Sequence, residues 1–402
     1  MNYRSLIFCL LSAVFIMSSG CAIESLHADD NDVIESLVIA SSSVEEDTPD
    51  VVVPTPTPAP QPQEYRASLF MTGDALIHGS IWLDSMTSSG YDFSDKVERI
   101  AQVASKYDLR YYNQETIIGG DERGPSGYPQ FNTPSQWGDA MYDAGFNLVS
   151  TATNHCLDQG ASGIENSLRY WAGKEGVVTA GTYLTKEDQE AIVVHEINGI
   201  TYAFFSWTYG MNGLSAPIDR PYMVNCYAGR EQEMLDQVAK ADKMCDVVII
   251  AMHWGTEYSM SVNDEQHDLA RKLSDAGADI IIGNHPHVIE PMEWINGKTI
   301  CFYAMGNMIS AQSGEENLVA VMAGLDIVKT VTGEVIDVKI ENVRADLLWT
   351  TYRRISSDLV DNVKVYPFNE LTDDILWNHE EIYKKYLAIL QSLDDSIAIG
   401  GV

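Results

Sequence analysis

From residue 65 onward, short apolar runs end abruptly in a polar side chain. ASLFMTGD closes on Asp74, DLRYYNQE on Glu115, and FNLVSTATNH on Asn154 and His155. DVVIIAMHWG carries His253, ADIIIGNHPH closes on His285 and His287, and TICFYAMGN closes on Asn307. Such runs, rich in β-branched and aromatic residues, predict strands buried on both faces. Between them lie stretches of helical character at 94–105, 161–174, 231–244 and 265–276. Strand–helix alternation predicts an α/β fold. Ligands in such folds bind beyond the carboxyl ends of the strands, so a succession of ligand-type side chains there marks a site. Further on, LVAVMAGLDIV and EVIDVKIENV flank a turn at Thr332-Gly333 and predict a hairpin in the second sheet, with a closing helix over 373–394.

The first 63 residues follow a different pattern. Residues 1–21, MNYRSLIFCLLSAVFIMSSGC, carry Arg4 and then an apolar run from Leu6 to Met17. As a helix that run spans roughly 18 Å, short of the roughly 30 Å hydrocarbon core, so it reads as a secretory signal. Its end, Ser18-Ser19-Gly20-Cys21, resembles a bacterial lipobox with Ser18 where leucine is usual. The resemblance implies a lipid anchor at Cys21 and an extracytoplasmic location; an ordinary cleaved signal or an uncleaved anchor are the alternatives. Residues 22–63 hold nine acids and no lysine or arginine, and include PTPTPAPQPQ. Acidic, proline-spaced sequence stays solvated and extended, which predicts a stalk before a single domain over 64–402.

Composition narrows the function classes. The 402-residue chain has 58 acidic and 25 basic residues, a net charge of −33. With no basic face to neutralise phosphates, nucleic-acid binding is excluded. The same charge repels anionic substrates unless bound cations offset it locally. Cys156, Cys226, Cys245 and Cys301 are too widely spaced for a zinc knuckle or a small disulfide framework and read as buried free thiols.

Histidine, aspartate, glutamate and asparagine together favour a borderline metal such as zinc, manganese or iron. Asp74, Glu115, Asn154, His253, His285 and His287 supply enough ligands, with a carboxylate to bridge, for two divalent ions. On a regular strand His285 and His287 would face opposite sides. For both to reach one site the chain must leave the strand, as Gly283 and Pro286 suggest. His78 stays open between a site residue and a loop residue. His195 and His267 lie outside the motifs and read as ordinary, and the 128–132 segment reads as a loop over the site.

Taken in order, GDALIH, NQE, NHCLDQG, HWGTEY, GNHPHV and YAMGN resemble the CapA (PgsA-type) poly-γ-glutamate biosynthesis family of the calcineurin-like metallophosphoesterase superfamily. The resemblance spans roughly residues 66–330 and implies a four-layer α/β/β/α sandwich. It implies that Asp74 and His287 bind a first metal, with Asn113 adding a ligand. Glu115 bridges, and Asn154, His253 and His285 hold a second metal. By the same resemblance His155 protonates a leaving oxygen, and Asp158 and Glu257 orient histidines. The chain departs from the family in having no aspartate-x-histidine in its first motif, in Cys156 after His155, and in Asn284 where another histidine is common.

Two functions follow from the resemblance. One is hydrolysis of a phosphoester or related bond in an anionic small-molecule or polymer substrate. The other is a non-catalytic, membrane-associated subunit acting beside a poly-γ-glutamate ligase and a transport protein. No GxxxxGK[ST] phosphate loop is present, so the chain is not the polymerising enzyme.

Overall fold

The apolar runs form the strands of two sheets in a computed structural model that describes residues 60–356 and 359–402. The expected leader, and the stalk as far as residue 59, lie outside the described residues. In chain order the strands are β1 (Gln63–Asp74), β2 (Leu109–Asn113), β3 (Leu148–Ser150), β4 (Val178–Ala180), β5 (Val194–Ile197), β6 (Ile200–Thr208) and β7 (Val247–His253). Then come β8 (Ile280–Asn284), β9 (Met292–Ile295), β10 (Thr299–Phe302), β11 (Val319–Thr332), β12 (Val335–Arg354) and β13 (Val360–Pro367). The first sheet runs β13-β12-β11-β1-β2-β3-β4 and the second β9-β10-β8-β7-β6-β5. Strands β1 to β4 are mutually parallel, as are β6, β7, β8 and β10.

Each central strand splits its side chains between two cores, which explains why the runs are apolar throughout. Leu69 and Met71 of β1, Tyr111 of β2, Phe204 of β6, Ile249 of β7 and Ile282 of β8 share one cluster between the sheets. The alternate residues Phe70, Tyr112 and Val149 pack instead against α1 (Ser94–Ala104) and α2 (Ser135–Asp143) through Val97, Ile100, Trp137 and Met141; the following helix, α3 (Gly160–Ala172), adds Trp171. On the second sheet Phe205, Ile250 and Ile281 pack against α4 (Glu231–Ala241) and α5 (Asp264–Ala276) through Met234, Val238, Leu269 and Leu273. Helix α5 is delimited at both ends. Asn263 and Gln266 form a reciprocal capping box, and Gly277 ends the helix at φ 108°, the left-handed conformation that glycine accepts without strain.

Two expectations need correction. The hairpin of β11 and β12 does not join the second sheet. It continues the first, with β11 antiparallel to β1 from Gln63↔Val331 to Thr72↔Met322. Both faces of β11 are apolar, Val321 and Leu325 facing one cluster and Ala320 and Met322 the other, so it seats in mid-sheet. The closing helix is shorter than 373–394. It is α6 (His379–Leu390), because Asn378 sits at φ 65° and donates its backbone N–H to Asp373, forming a turn before the helix starts.

Candidate metal centre

Register alone brings the polar strand ends together. Asp74 pairs with Asn113, which pairs with Ser150, in the first sheet. Thr208 pairs with His253, which pairs with Asn284, in the second. Close backbone contacts tie these ends to the 303–306 segment. A Cβ on Gly73 would lie 1.9 Å from the Gly306 carbonyl oxygen, and one on Gly283 would lie 1.7 Å from that of Tyr303. Only glycine permits either approach. Beyond β8 the chain leaves the strand sharply, with His285 at φ 101° and His287 at φ 60°. Backbone of that kind costs about 1–3 kcal/mol per residue and concentrates at functional sites. It aims both imidazoles into one site, as the spacing of the two histidines predicts.

Asp74, Glu115 and His287 are buried, and one ligand atom from each lies within 4.8 Å of the others; Glu257, His285 and His287 form a second such group. Asp74 is hydrogen-bonded: Asn113 Nδ2 donates to its Oδ1 (2.7 Å) and the His285 backbone N–H to its Oδ2 (3.1 Å). Glu115 differs. Neither of its carboxylate oxygens has a hydrogen-bond partner among the described residues, and His285 Nδ1 has none either. His287 Nε2 stands 3.6 Å from Glu115 Oε1. The Asn307 Oδ1 accepts from His287 Nδ1 at 3.1 Å, which leaves Nε2 as the ring's free lone pair.

The electrostatics point the same way. Burial pushes the Asp74 carboxyl up to about 7. Burial, then the neighbouring Asp74, Glu257 and Asp158, push Glu115 well above the usual carboxylate range. Burial holds His285 down near 4 and His287 near 3, and His253 well below its ordinary value. A buried carboxylate without a partner must take up a proton or a cation. Orphaned carboxylate oxygens facing neutral imidazole nitrogens fit a divalent ion of the borderline class.

The remaining expected site residues fall around this group. Asn113 bridges Asp74 and His253 through Nδ2, and its Oδ1 accepts from Ser150 at 2.5 Å. Asn154 Oδ1 lies 3.0 Å from His253 Nε2. The His253 and His285 ring centroids are 4.9 Å apart. Glu257, read from sequence as an orienting residue, lies within ligand distance of His285 and His287. Asn307 and Asn212 had no assigned role in the sequence. The only signal for Asn307 was the polar end of its apolar run, and Asn212 lies in a loop with none. His195 and His267 have local roles against Tyr202 and Tyr303. The four cysteines are free, Cys156 and Cys301 buried and the other two half-buried.

Over the cluster opens a cleft of about 590 Å³, lined in part by His155, Asp158, His287 and His78 and by the Tyr128–Phe131 loop. His155 Nδ1 is 2.7 Å from Asp158 Oδ2, which also accepts the Phe131 backbone N–H at 2.8 Å. This pairing makes Nδ1 the protonated nitrogen and presents Nε2 outward. Asn212 Nδ2 approaches that nitrogen at 3.4 Å, and Phe131 meets the ring edge-on at 4.8 Å.

Two expected results follow. Asn307→Ala removes the acceptor that fixes the His287 tautomer, so metal affinity is expected to fall by about 10–100-fold in a chelator-competition titration. The second concerns pH. Near pH 6 the Asp74 carboxyl, pushed up to about 7, is largely protonated in the metal-free protein, and burial pushes Glu115 in the same direction, while His285 and His287 carry no excess proton. A divalent ion must displace the carboxyl protons. Uptake at pH 6 is therefore expected to release protons, and affinity to rise from pH 6 to 8. Calorimetry in buffers of differing ionisation enthalpy measures this; uptake with no proton release contradicts it.

The family described as bacterial capsule synthesis protein PGA_cap matches residues 68–312. The chain is 34% identical over 173 residues to the PGA biosynthesis protein CapA of Bacillus subtilis, covering 43% of this chain and 44% of that protein. It is 32% identical over 179 residues to the capsule biosynthesis protein CapA of Bacillus anthracis, covering 43% and 42%. To a probable polyglutamine synthesis accessory protein of Mycobacterium tuberculosis it is 29% identical over 177 residues, covering 42% and 46%. The chain thus spans less than half the length of these curated relatives. Among solved structures it is similar to GAP50, the anchor in the inner membrane complex of Plasmodium, with a TM-score of 0.37 and 12% identity over 84% of this chain and 98% of that one. That likeness is too loose to bear on fold or function.

Proposed function

The chain belongs to the PGA_cap family of bacterial capsule synthesis proteins, and from that premise we propose that it is an extracytoplasmic hydrolase of capsule assembly, acting on a phosphoester or related bond at a binuclear metal site. One observation carries this reading: the buried carboxylate of Glu115, unpartnered among the described residues, with one oxygen 3.6 Å from His287 Nε2. The cores on both faces of each sheet support the four-layer α/β/β/α arrangement of the metallophosphoesterase type. Asp74, Glu115 and His287 would hold one ion. His285 with His253, Asn154 or Glu257 would hold the other. Divalent ions there supply positive charge for an anionic group and make a water nucleophilic at neutral pH.

The chain's own residues supply the rest. Asp158 fixes the His155 ring so that Nε2 faces the cleft, where it can deliver a proton to a leaving oxygen. Asn307 fixes His287, and Asn113 ties Asp74 to His253. Lipid anchoring through Cys21 would hold the domain at the membrane, beside ligase and transport subunits. The similarity to a probable polyglutamine synthesis accessory protein of Mycobacterium tuberculosis favours a second reading, a metal-stabilised subunit without turnover. Assaying the manganese- or zinc-loaded chain on p-nitrophenyl phosphate and its diester separates the two. Chelator-sensitive turnover supports the hydrolase; two bound metals with no turnover on either ester supports the accessory subunit.

A further inference from the structure

Resting on that reading of a metal-held anionic group, we propose that the site takes a glycosyl phosphate: one anionic group on a neutral, hydroxyl-rich ring, not a chain charged at every residue. The walls of the cleft carry the argument. Among the described residues no lysine or arginine lines it, while Asp158 and Glu257 do. The adjoining cleft, about 790 Å³ and sharing His78, Tyr128, Tyr258 and Gln312 with the first, counts one arginine, Arg354, and one acid, Glu316, in its lining. A polyanion would have one acidic residue after another pressed toward these walls, with only the metal ions and one arginine to offset the repulsion. The uncharged polar part of the lining suits a sugar. Gln130, Asn212 and Gln312 present carboxamides, which both donate to and accept from hydroxyls.

Two tyrosines complete the fit. Tyr128 is 78% exposed and Tyr258 54%, yet both line both clefts. The Tyr128 ring stands 6.3 Å from Phe131, which packs on His155. The Tyr258 ring lies 5.9 Å from that of His287. Tyr258 sits at φ 64°, a conformation rarely adopted by a bulky residue. It is held there by its backbone N–H donating to the Pro286 carbonyl (2.8 Å) and by Gln312 Nε2 donating to its hydroxyl (3.4 Å). An exposed ring kept in a strained backbone beside a metal ligand is placed for a contact outside the protein's own core. An aromatic face offers a flat apolar surface with a polar tip, which matches the C–H face and hydroxyl rim of a pyranose.

The test uses the full chain loaded with manganese, with binding followed by calorimetry and by broadening of the phosphorus resonance. Glucose 1-phosphate is expected to bind about tenfold more tightly than inorganic phosphate, the increment one aromatic contact supplies. Tyr258→Asn, chosen because asparagine tolerates positive φ, and Tyr128→Ala should together abolish that difference and leave inorganic phosphate unchanged. Equal affinity for the two ligands, or tighter binding of a γ-linked glutamate oligomer, would overturn the proposal. Failure of inorganic phosphate to bind the loaded protein at all would overturn the metal-site reading beneath it as well.

Discussion

Glu115→Gln is expected to strip the chain of bound divalent metal, weakening affinity by at least about 100-fold, the upper end of the loss caused by removing even an outer partner of a ligand. Glu115 follows the end of β2 and is fully buried, with both oxygens unpartnered among the described residues. It shares one ligand group with Asp74 and His287. Glutamine keeps the shape and removes the charge that a divalent ion requires. The fold should tolerate the change, because burial already suppresses ionisation of Glu115 in the metal-free protein. The metal-free variant is therefore expected to melt within a few degrees of the metal-free parent. Chelator competition together with thermal unfolding checks both halves. Undiminished affinity would remove Glu115 from the centre, and a collapsed melting temperature would make it a structural residue.

The second large effect is on turnover. His155→Ala is expected to leave metal content unchanged and to lower kcat by about 10²–10⁴, the range a positioned general acid contributes. His155 is outside both ligand groups, while it lines the cleft and its Nδ1 is engaged by Asp158. The loss should be smallest for substrates with a good leaving group, such as p-nitrophenyl esters, which need little protonation, and largest for alkyl esters. An equal loss on both classes would contradict the proton-delivery role.

Much of this arrangement is legible in the sequence, because its physical cause is local. Apolar runs ending in Asp74, His253 or His285 announce strands whose tips share an edge, and parallel pairing then aligns those tips by register. The departure of His285-Pro286-His287 from the strand follows from side-chain alternation alone, and the positive φ of both histidines is its consequence. What escapes depends on distant parts of the chain. Strand β6, ITYAFFSWT, lies inside the second sheet with Phe204 on one face and Phe205 on the other. It ends on Thr208, so nothing at its tip marked it. Glu257 of HWGTEY reads from the sequence as a residue that orients histidines, and it is the fold that sets its carboxylate close enough to His285 and His287 to share a metal with them. Asn212 approaches His155 across 57 residues of sequence, and Tyr258 gains its place through a hydrogen bond to Pro286. The hairpin's placement is not legible either, because the apolar content of its strands specifies burial but not which sheet they join.

The proposal of a binuclear centre is tested most directly by elemental analysis of the purified chain, prepared without chelators. The account predicts close to two transition-metal ions per chain. A well-folded protein that carries none, and takes up neither manganese nor zinc when they are supplied, would contradict it.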